Sequence, residues 1–167
     1  GHQWRHFNAE YIDCNTDYSN KGIDQLNIII NALKDPSQRN SRRLVISAWN
    51  PCQLDEMALP PCHILMQFNV LNDKYLSCSM YQRSGDVGLG VPFNIASYSF
   101  LTHLIAFHCD LEPLELIYNL GNTHIYDDHV DSLKIQISRQ PYEFPKLTIL
   151  KTYASIDDYN LEDFKKK

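Results

Sequence analysis

Four groups of residues carry side chains whose types and spacing could do chemistry. The first centres on Cys62, within Leu59-Pro60-Pro61-Cys62-His63. A thiolate is a strong nucleophile, and nearby cationic or donor groups lower a thiol's pKa from about 8.5. The tandem prolines hold the backbone extended ahead of the sulfur, and a histidine follows it. A single cysteine is more often a small buried hydrophobe, and that plainer reading stands beside the nucleophilic one. The second group is cationic. Arg42-Arg43 precedes one apolar run and Arg83 ends another. The planar fork of arginine binds phosphate, so these residues read either as a dianion clamp or as solvated charges at strand ends.

The third group is the dense stretch Gln82–Asn94, QRSGDVGLGVPFN. Gly85, Gly88 and Gly90 allow the backbone to approach a ligand closely. Arg83 and Ser84 offer donors to an anion, and Asp86 offers an acceptor. Asn94 is either a helix N-cap or a reader of an amide edge, since its side chain both donates and accepts. The glycine spacing fits neither a Walker loop nor a dinucleotide fingerprint. Further on, His124, Tyr126 and His129 bring donors together on adjacent turns. Hydroxyl recognition by His124 and Tyr126 is the economical reading. As metal ligands, His124, Asp127, Asp128 and His129 match no tetrahedral spacing and lack cysteine, so no metal is expected.

The surrounding elements must hold these groups in place. The spacing of Ile23, Leu26, Ile29, Ile30 and Leu33 predicts a helix over Lys21–Leu33, with Asn20 as N-cap and Asp35-Pro36 as its stop. A strand is predicted over Arg42–Trp49, and a hairpin over His63–Leu71 and Lys74–Arg83, turning at Asn72-Asp73. Ser84–Gly90 reads as a loop. Pro92 opens a helix, and Ile95–Cys109, apolar on most faces, reads as its buried body. Leu114–Leu120 reads as a strand, His129–Ser138 as an amphipathic helix with Val130, Leu133 and Ile137 on one face, and Leu147–Leu150 as a short apolar run. Strands and helices without strict alternation imply α+β or mixed α/β.

The 167 residues, 44% hydrophobic and 21% charged, suit one ordinary globular domain. A net charge of −5 argues against a general nucleic-acid binder or a polybasic membrane surface. No apolar run approaches the roughly 18 residues of a membrane span, and no signal-peptide pattern opens the chain. Cys14, Cys52, Cys62, Cys78 and Cys109 are odd in number and form no Cys-x-x-Cys, which points to a reduced, intracellular compartment. Gly1 in place of Met, and the run Lys165–Lys167, suggest termini that are cuts.

Taken together, the segments resemble thymidylate synthases. The carrying stretches are Gly1–Tyr11, Gly22–Leu26, Ser41–Pro51, Met57–Leu65, Tyr81–Tyr98, Leu120–His129 and Phe144–Leu147. The resemblance runs in order to about Phe164 and implies a mixed β-sheet flanked by helices. It further implies reductive methylation of dUMP to dTMP with the co-substrate 5,10-methylenetetrahydrofolate, which leaves as dihydrofolate, with no metal. Cys62 would attack C6 of uracil and Asn94 would read the base edge. Arg83, Ser84 and Gly85 would bind the substrate, the first two at its phosphate. Arg42 and Arg43 would reach the partner's phosphate across a homodimer interface. His124 and Tyr126 would meet the ribose, while Gln82 and His63 order the nucleotide and the thiol. Asp86 would accept from the folate pterin, with Leu89, Gly90 and Phe93 lining its pocket. A cytoplasmic location is implied, with the nucleus also open, and neither membrane nor nucleic acid as partner.

The chain departs from the usual family pattern at several positions. Asn122-Thr123 stands where Asp-Ala is common, His2 where Phe is common, and Asn69 where an aromatic is common; burying Asn69 unpaired would cost about 1–3 kcal/mol. The single domain is expected to be incomplete at both ends. The family's N-terminal segment brings another phosphate arginine, a proton-transfer glutamate and a tryptophan, and its C-terminal tail closes over the ligands. Two alternatives remain at this point: a pyrimidine hydroxymethylase of the same superfamily, and an inactive truncated paralogue kept for dimerisation. Asn94 speaks for uracil, since asparagine satisfies both the N3–H and O4.

Overall fold

A computed structural model describes residues 1–166. Its first regular element, α1 (His2–Arg5), is a single turn. The chain then crosses a loop to α2 (Gln25–Lys34), which starts four residues later than the spacing predicts. Asn20 and Gly22 sit at φ 62° and 66°, and a side chain at Gly22 would press within 2.6 Å of the Phe7 carbonyl oxygen. A helix cannot pass through that turn. Asp24 therefore caps α2, accepting the Asn27 N–H at 3.0 Å. Ile23 pairs with Phe7 as a bridge and stays exposed. Leu26, Ile29, Ile30 and Leu33 are buried as expected, each contributing about 1.5–3 kcal/mol of apolar burial.

The central sheet has the order β1 (Val45–Ser47), β2 (His63–Leu71), β3 (Tyr75–Asp86), β4 (Glu112–His124). The β1–β2 and β2–β3 pairs are antiparallel, and β3–β4 is parallel. The strand predicted over Arg42–Trp49 shortens to three residues. The hairpin turns where predicted, with Asn72 and Asp73 at φ 53° and 54°. Two successive left-handed residues make the type I′ turn that matches strand twist. The loop predicted over Ser84–Gly90 is instead strand as far as Asp86, because β4 supplies a partner: Ser84 faces Asn122 and Asp86 faces His124.

Helix α3 (Gly90–His108) makes the crossover that a parallel pair requires. Its Tyr98, Ile105 and Ala106 join α2 and the inward residues Met66, Phe68, Leu76, Cys78 and Met80 in one core. The expectation of a wholly buried helix fails. Phe93, Ile95, Phe100 and Phe107 are exposed in the single chain. The other sheet face is also uncovered, with Leu65, Leu71, Tyr81 and Ile117 exposed. Asn69 lies on that exposed face and carries no burial cost in the single chain.

A 3-10 turn over Asp127–His129 leads into α4 (Val130–Ile137), which has no buried residue. Its expected packing face is open here. The chain closes with β5 (Leu147–Ile149) antiparallel to β6 (Phe164–Lys166). The arrangement is mixed α/β with a mixed sheet. No helix among the described residues is long and apolar enough to cross a membrane.

Candidate active site

The candidate residues gather where β2 begins and β3 and β4 end. Cys62 is half-buried, one residue ahead of β2, and its approach is fixed mainly by Arg83. The backbone N–H of Arg83 donates to the Cys62 carbonyl at 2.9 Å. Its Nε and Nη2 donate to the carbonyls of Pro61 at 3.0 Å and Pro60 at 2.8 Å. One arginine thus holds three consecutive carbonyls. The prolines make this arrangement stiff, since their φ is locked and their nitrogens cannot donate. The guanidinium also lies 5.8 Å from the Trp49 ring centroid, within cation–π range. The plain reading of Arg83 as a solvated strand-end charge is replaced by a structural one, and Nη1 lies outside these bonds.

A bulge between His63 and Leu65 interrupts the β2–β3 register, with His63 opposite Gln82. Bulges re-aim side chains and recur beside functional sites. His63 packs edge-on against Tyr98, ring centroids 5.2 Å apart. Burial pushes its imidazole below the ordinary range, outweighing the opposite pull of the Asn94 side chain. His63 is therefore neutral near pH 7, able to donate and to accept.

Gln82 is 3% exposed and fully engaged. Its Nε2 donates to the Ser84 carbonyl at 2.8 Å and to Asn94 Oδ1 at 3.1 Å, and the Tyr118 hydroxyl donates to its Oε1. A backbone carbonyl can only accept, so the amide nitrogen of Gln82 must face Ser84. The atom of Asn94 facing that nitrogen must then be its oxygen. Asn94 lies one turn inside α3 and does not cap it; the N-cap position is Leu89. Its side chain is half-buried, with its direction set by Gln82. Such an amide presents an acceptor and a donor in fixed order, which suits an imide edge.

Gly85 is placed by close packing: a Cβ there would meet Leu120 at 2.7 Å and Val91 at 3.0 Å. Asp86 ends β3 and accepts from the backbone N–H of Gly88 at 3.0 Å and, more distantly, of Gly90 at 3.4 Å. Leu89 and Phe93, one helical turn apart, are 59% and 67% exposed beside it. Exposed apolar side chains in the segment that donates to this carboxylate suit a flat ring that carries N–H donors. His124 Nδ1 lies 3.2 Å from Asn122 Oδ1, and its ring meets Tyr126 edge-on at 5.2 Å. The parallel β3–β4 register brings this pair alongside Asp86.

Arg42 and Arg43 do not join this cluster. Both are exposed. They precede Leu44, whose carbonyl accepts from Phe68 N–H, so they lie near the far end of β2. About seven residues of strand at 3.3 Å each, roughly 23 Å, separate that end from Cys62. Three participants escaped the motif reading: Tyr118 on Gln82, Trp49 under Arg83, and Tyr98 against His63. Tyr118 lay within the predicted strand Leu114–Leu120, but its partner is set by the β3–β4 register.

The family described as thymidylate synthase matches the chain over residues 1–167. The chain is 56% identical over 165 residues to the bifunctional dihydrofolate reductase-thymidylate synthase of Plasmodium chabaudi, covering 98% of this chain and 28% of that protein. It is 54% identical over 164 residues to the thymidylate synthase of Homo sapiens, covering 98% and 51%. The thymidylate synthase of Saccharomyces cerevisiae is 53% identical over 172 residues, covering 98% and 56%. The chain thus spans between about a quarter and just over half the length of these relatives.

Proposed function

The chain belongs to the thymidylate synthase family, and from that premise we propose that the whole protein reductively methylates dUMP to dTMP. The co-substrate 5,10-methylenetetrahydrofolate supplies both the carbon and the hydride and leaves as dihydrofolate. The observation that supports the reading is the Arg83 clamp on residues 60–62, which ties Cys62 to the strand that carries Gln82, the hydrogen-bond partner of Asn94. Cys62 Sγ bonds to C6 of the pyrimidine, and the ring's electron pair shifts toward C5 and O4. C5 then becomes a carbon nucleophile for the one-carbon unit, an otherwise inaccessible reaction of this ring. Loss of the C5 proton expels tetrahydrofolate from the one-carbon unit and leaves an exocyclic methylene; the hydride of the same folate then adds to the methylene, and Cys62 leaves C6 as the methyl group forms.

Asn94 presents Oδ1 to the N3–H and Nδ2 to O4. His63, neutral, and Gln82 order the base and the thiol. Arg83 Nη1 and the Ser84 hydroxyl meet the phosphate, and the side-chain-free Gly85 lets the backbone lie close. His124 and Tyr126 take the ribose hydroxyls. Asp86 accepts from the pterin between Leu89, Gly90 and Phe93. A second copy of the chain is part of this reading. It accounts for the apolar outer face of the sheet and for Arg42 and Arg43, which lie far from this chain's own cluster and would serve the partner's phosphate. The proposed compartment is the cytoplasm.

Release of tritium to water from 5-tritiated dUMP, measured with the full-length protein, tests the reading. Folate-dependent release accompanied by dTMP supports it. Release that yields hydroxymethyl product transfers the protein to the hydroxymethylase chemistry, and no release overturns the assignment.

A further inference from the structure

The Asp86 carboxylate has a neighbour that none of the roles above uses. His129 lies in the 3-10 turn before α4, with Nδ1 3.8 Å from Asp86 Oδ1. That nitrogen is buried without a hydrogen-bond partner. Its ring rests directly on the turn after β3: a Cβ at Gly88 would lie 2.9 Å from Nδ1. Tyr126 packs edge-on against the same ring, centroids 5.7 Å apart. The imidazole thus touches both a residue of the proposed ribose site and the turn that holds Asp86.

Buried polar atoms in native proteins are almost always paired, and an orphan calls for an explanation. Asp86 Oδ1 already accepts the Gly88 N–H at 3.0 Å, whereas Oδ2 makes only the long 3.4 Å contact with Gly90. A movement of under 1 Å would bring His129 Nδ1–H within hydrogen-bond range of Oδ1. Oδ1 would then be held by two donors, fixing the carboxylate plane and leaving Oδ2 for a ligand.

We propose that His129 is a positioning residue that orients Asp86, so that Oδ2 is presented to a flat heteroaromatic ligand carrying adjacent N–H donors. The inference rests on the reading of Asp86 as the pterin acceptor. His129 acts through Asp86 and touches no reacting atom.

The test uses four forms of the full-length protein: wild type, His129→Leu, His129→Asn and Asp86→Asn, with the His129→Leu/Asp86→Asn double variant closing a cycle. Loss of a hydrogen bond to a charged group is expected to raise KM for methylenetetrahydrofolate about tenfold in His129→Leu, with KM for dUMP unchanged. His129→Asn, which carries an amide near the place of Nδ1, recovers most of that loss. The double variant shows no further increase over Asp86→Asn, because coupled residues are non-additive. A His129→Leu effect that adds fully to that of Asp86→Asn, or that raises both KM values alike, overturns the proposal. An unchanged folate KM in His129→Leu also overturns it. If Asp86→Asn itself leaves the folate KM unchanged, the pterin reading of Asp86 fails and the proposal falls with it. Thermal melting of each variant separates these outcomes from misfolding.

Discussion

Replacing Tyr118 with phenylalanine removes one oxygen and nothing else. The ring, half-buried against the core, stays in place, so no cavity opens. What is lost is the donor to Gln82 Oε1. Gln82 is 3% exposed, so water cannot readily replace that donor. A buried acceptor left unpaired costs about 1–3 kcal/mol. In a domain of this size each kcal/mol lowers Tm by about 2–4 °C, a shift that calorimetry resolves. The functional effect follows from orientation. Gln82 Nε2 obliges Asn94 to turn its oxygen inward, whereas cytosine, with an acceptor at N3 and a donor at N4, needs the amide inverted. Inversion would set the Asn94 and Gln82 NH2 groups against each other. With Gln82 anchored only at Ser84, that opposition weakens. A change of about 1.4 kcal/mol is tenfold in binding, so the preference for dUMP over dCMP is expected to fall by up to about tenfold in titrations of the two nucleotides. A Tyr118→Phe protein with unchanged Tm and unchanged preference would show that the Tyr118 hydroxyl does not hold Gln82. Lower Tm with unchanged preference would confine Tyr118 to folding.

Two other perturbations act on different parts of the structure. Arg83→Lys keeps a charge but not the fork that spans the Pro60 and Pro61 carbonyls; Cys62 is expected to alkylate with iodoacetamide several-fold faster, and an unchanged rate would show that the loop is rigid without the clamp. His108 is pushed below the ordinary imidazole range by burial and then by Lys34, whose Nζ lies 2.8 Å from its Nε2. A histidine depressed in the folded state takes up its proton more readily when unfolded, so stability is complete above about pH 6.5 and falls as pH drops through the window down to the folded value. His108→Gln is expected to flatten the loss of urea midpoint between pH 7.5 and 5.5, and a parallel pH profile would remove His108 from the account.

What the sequence made legible was local. The β2–β3 turn could be read because Asn72 and Asp73 tolerate left-handed backbone. The stop of α2 could be read because Asp35-Pro36 cannot continue a helix. The start of α2 was misplaced because the apolar spacing continues back to Ile23, while Asn20 and Gly22 impose left-handed backbone before it. Ser84–Asp86 looks like loop in isolation; it is strand only because β4 lies beside it. The same distance in sequence hid Tyr118, whose partner Gln82 is 36 residues away. The motif around Cys62 pointed to a nucleophile, but the role of Arg83 as its brace depends on carbonyls of Pro60 and Pro61 and carries no sequence signature.

The proposed role of Cys62, nucleophile of a folate-dependent pyrimidine methylation, is tested most directly by incubating the full-length protein with 5-fluoro-dUMP and methylenetetrahydrofolate and mapping the product by mass spectrometry. Fluorine at C5 cannot leave as a proton, so the covalent complex should accumulate. An adduct is expected on the peptide containing Cys62 and is absent from Cys62→Ala. An adduct that persists in Cys62→Ala, or no adduct in the wild-type protein, would contradict that role.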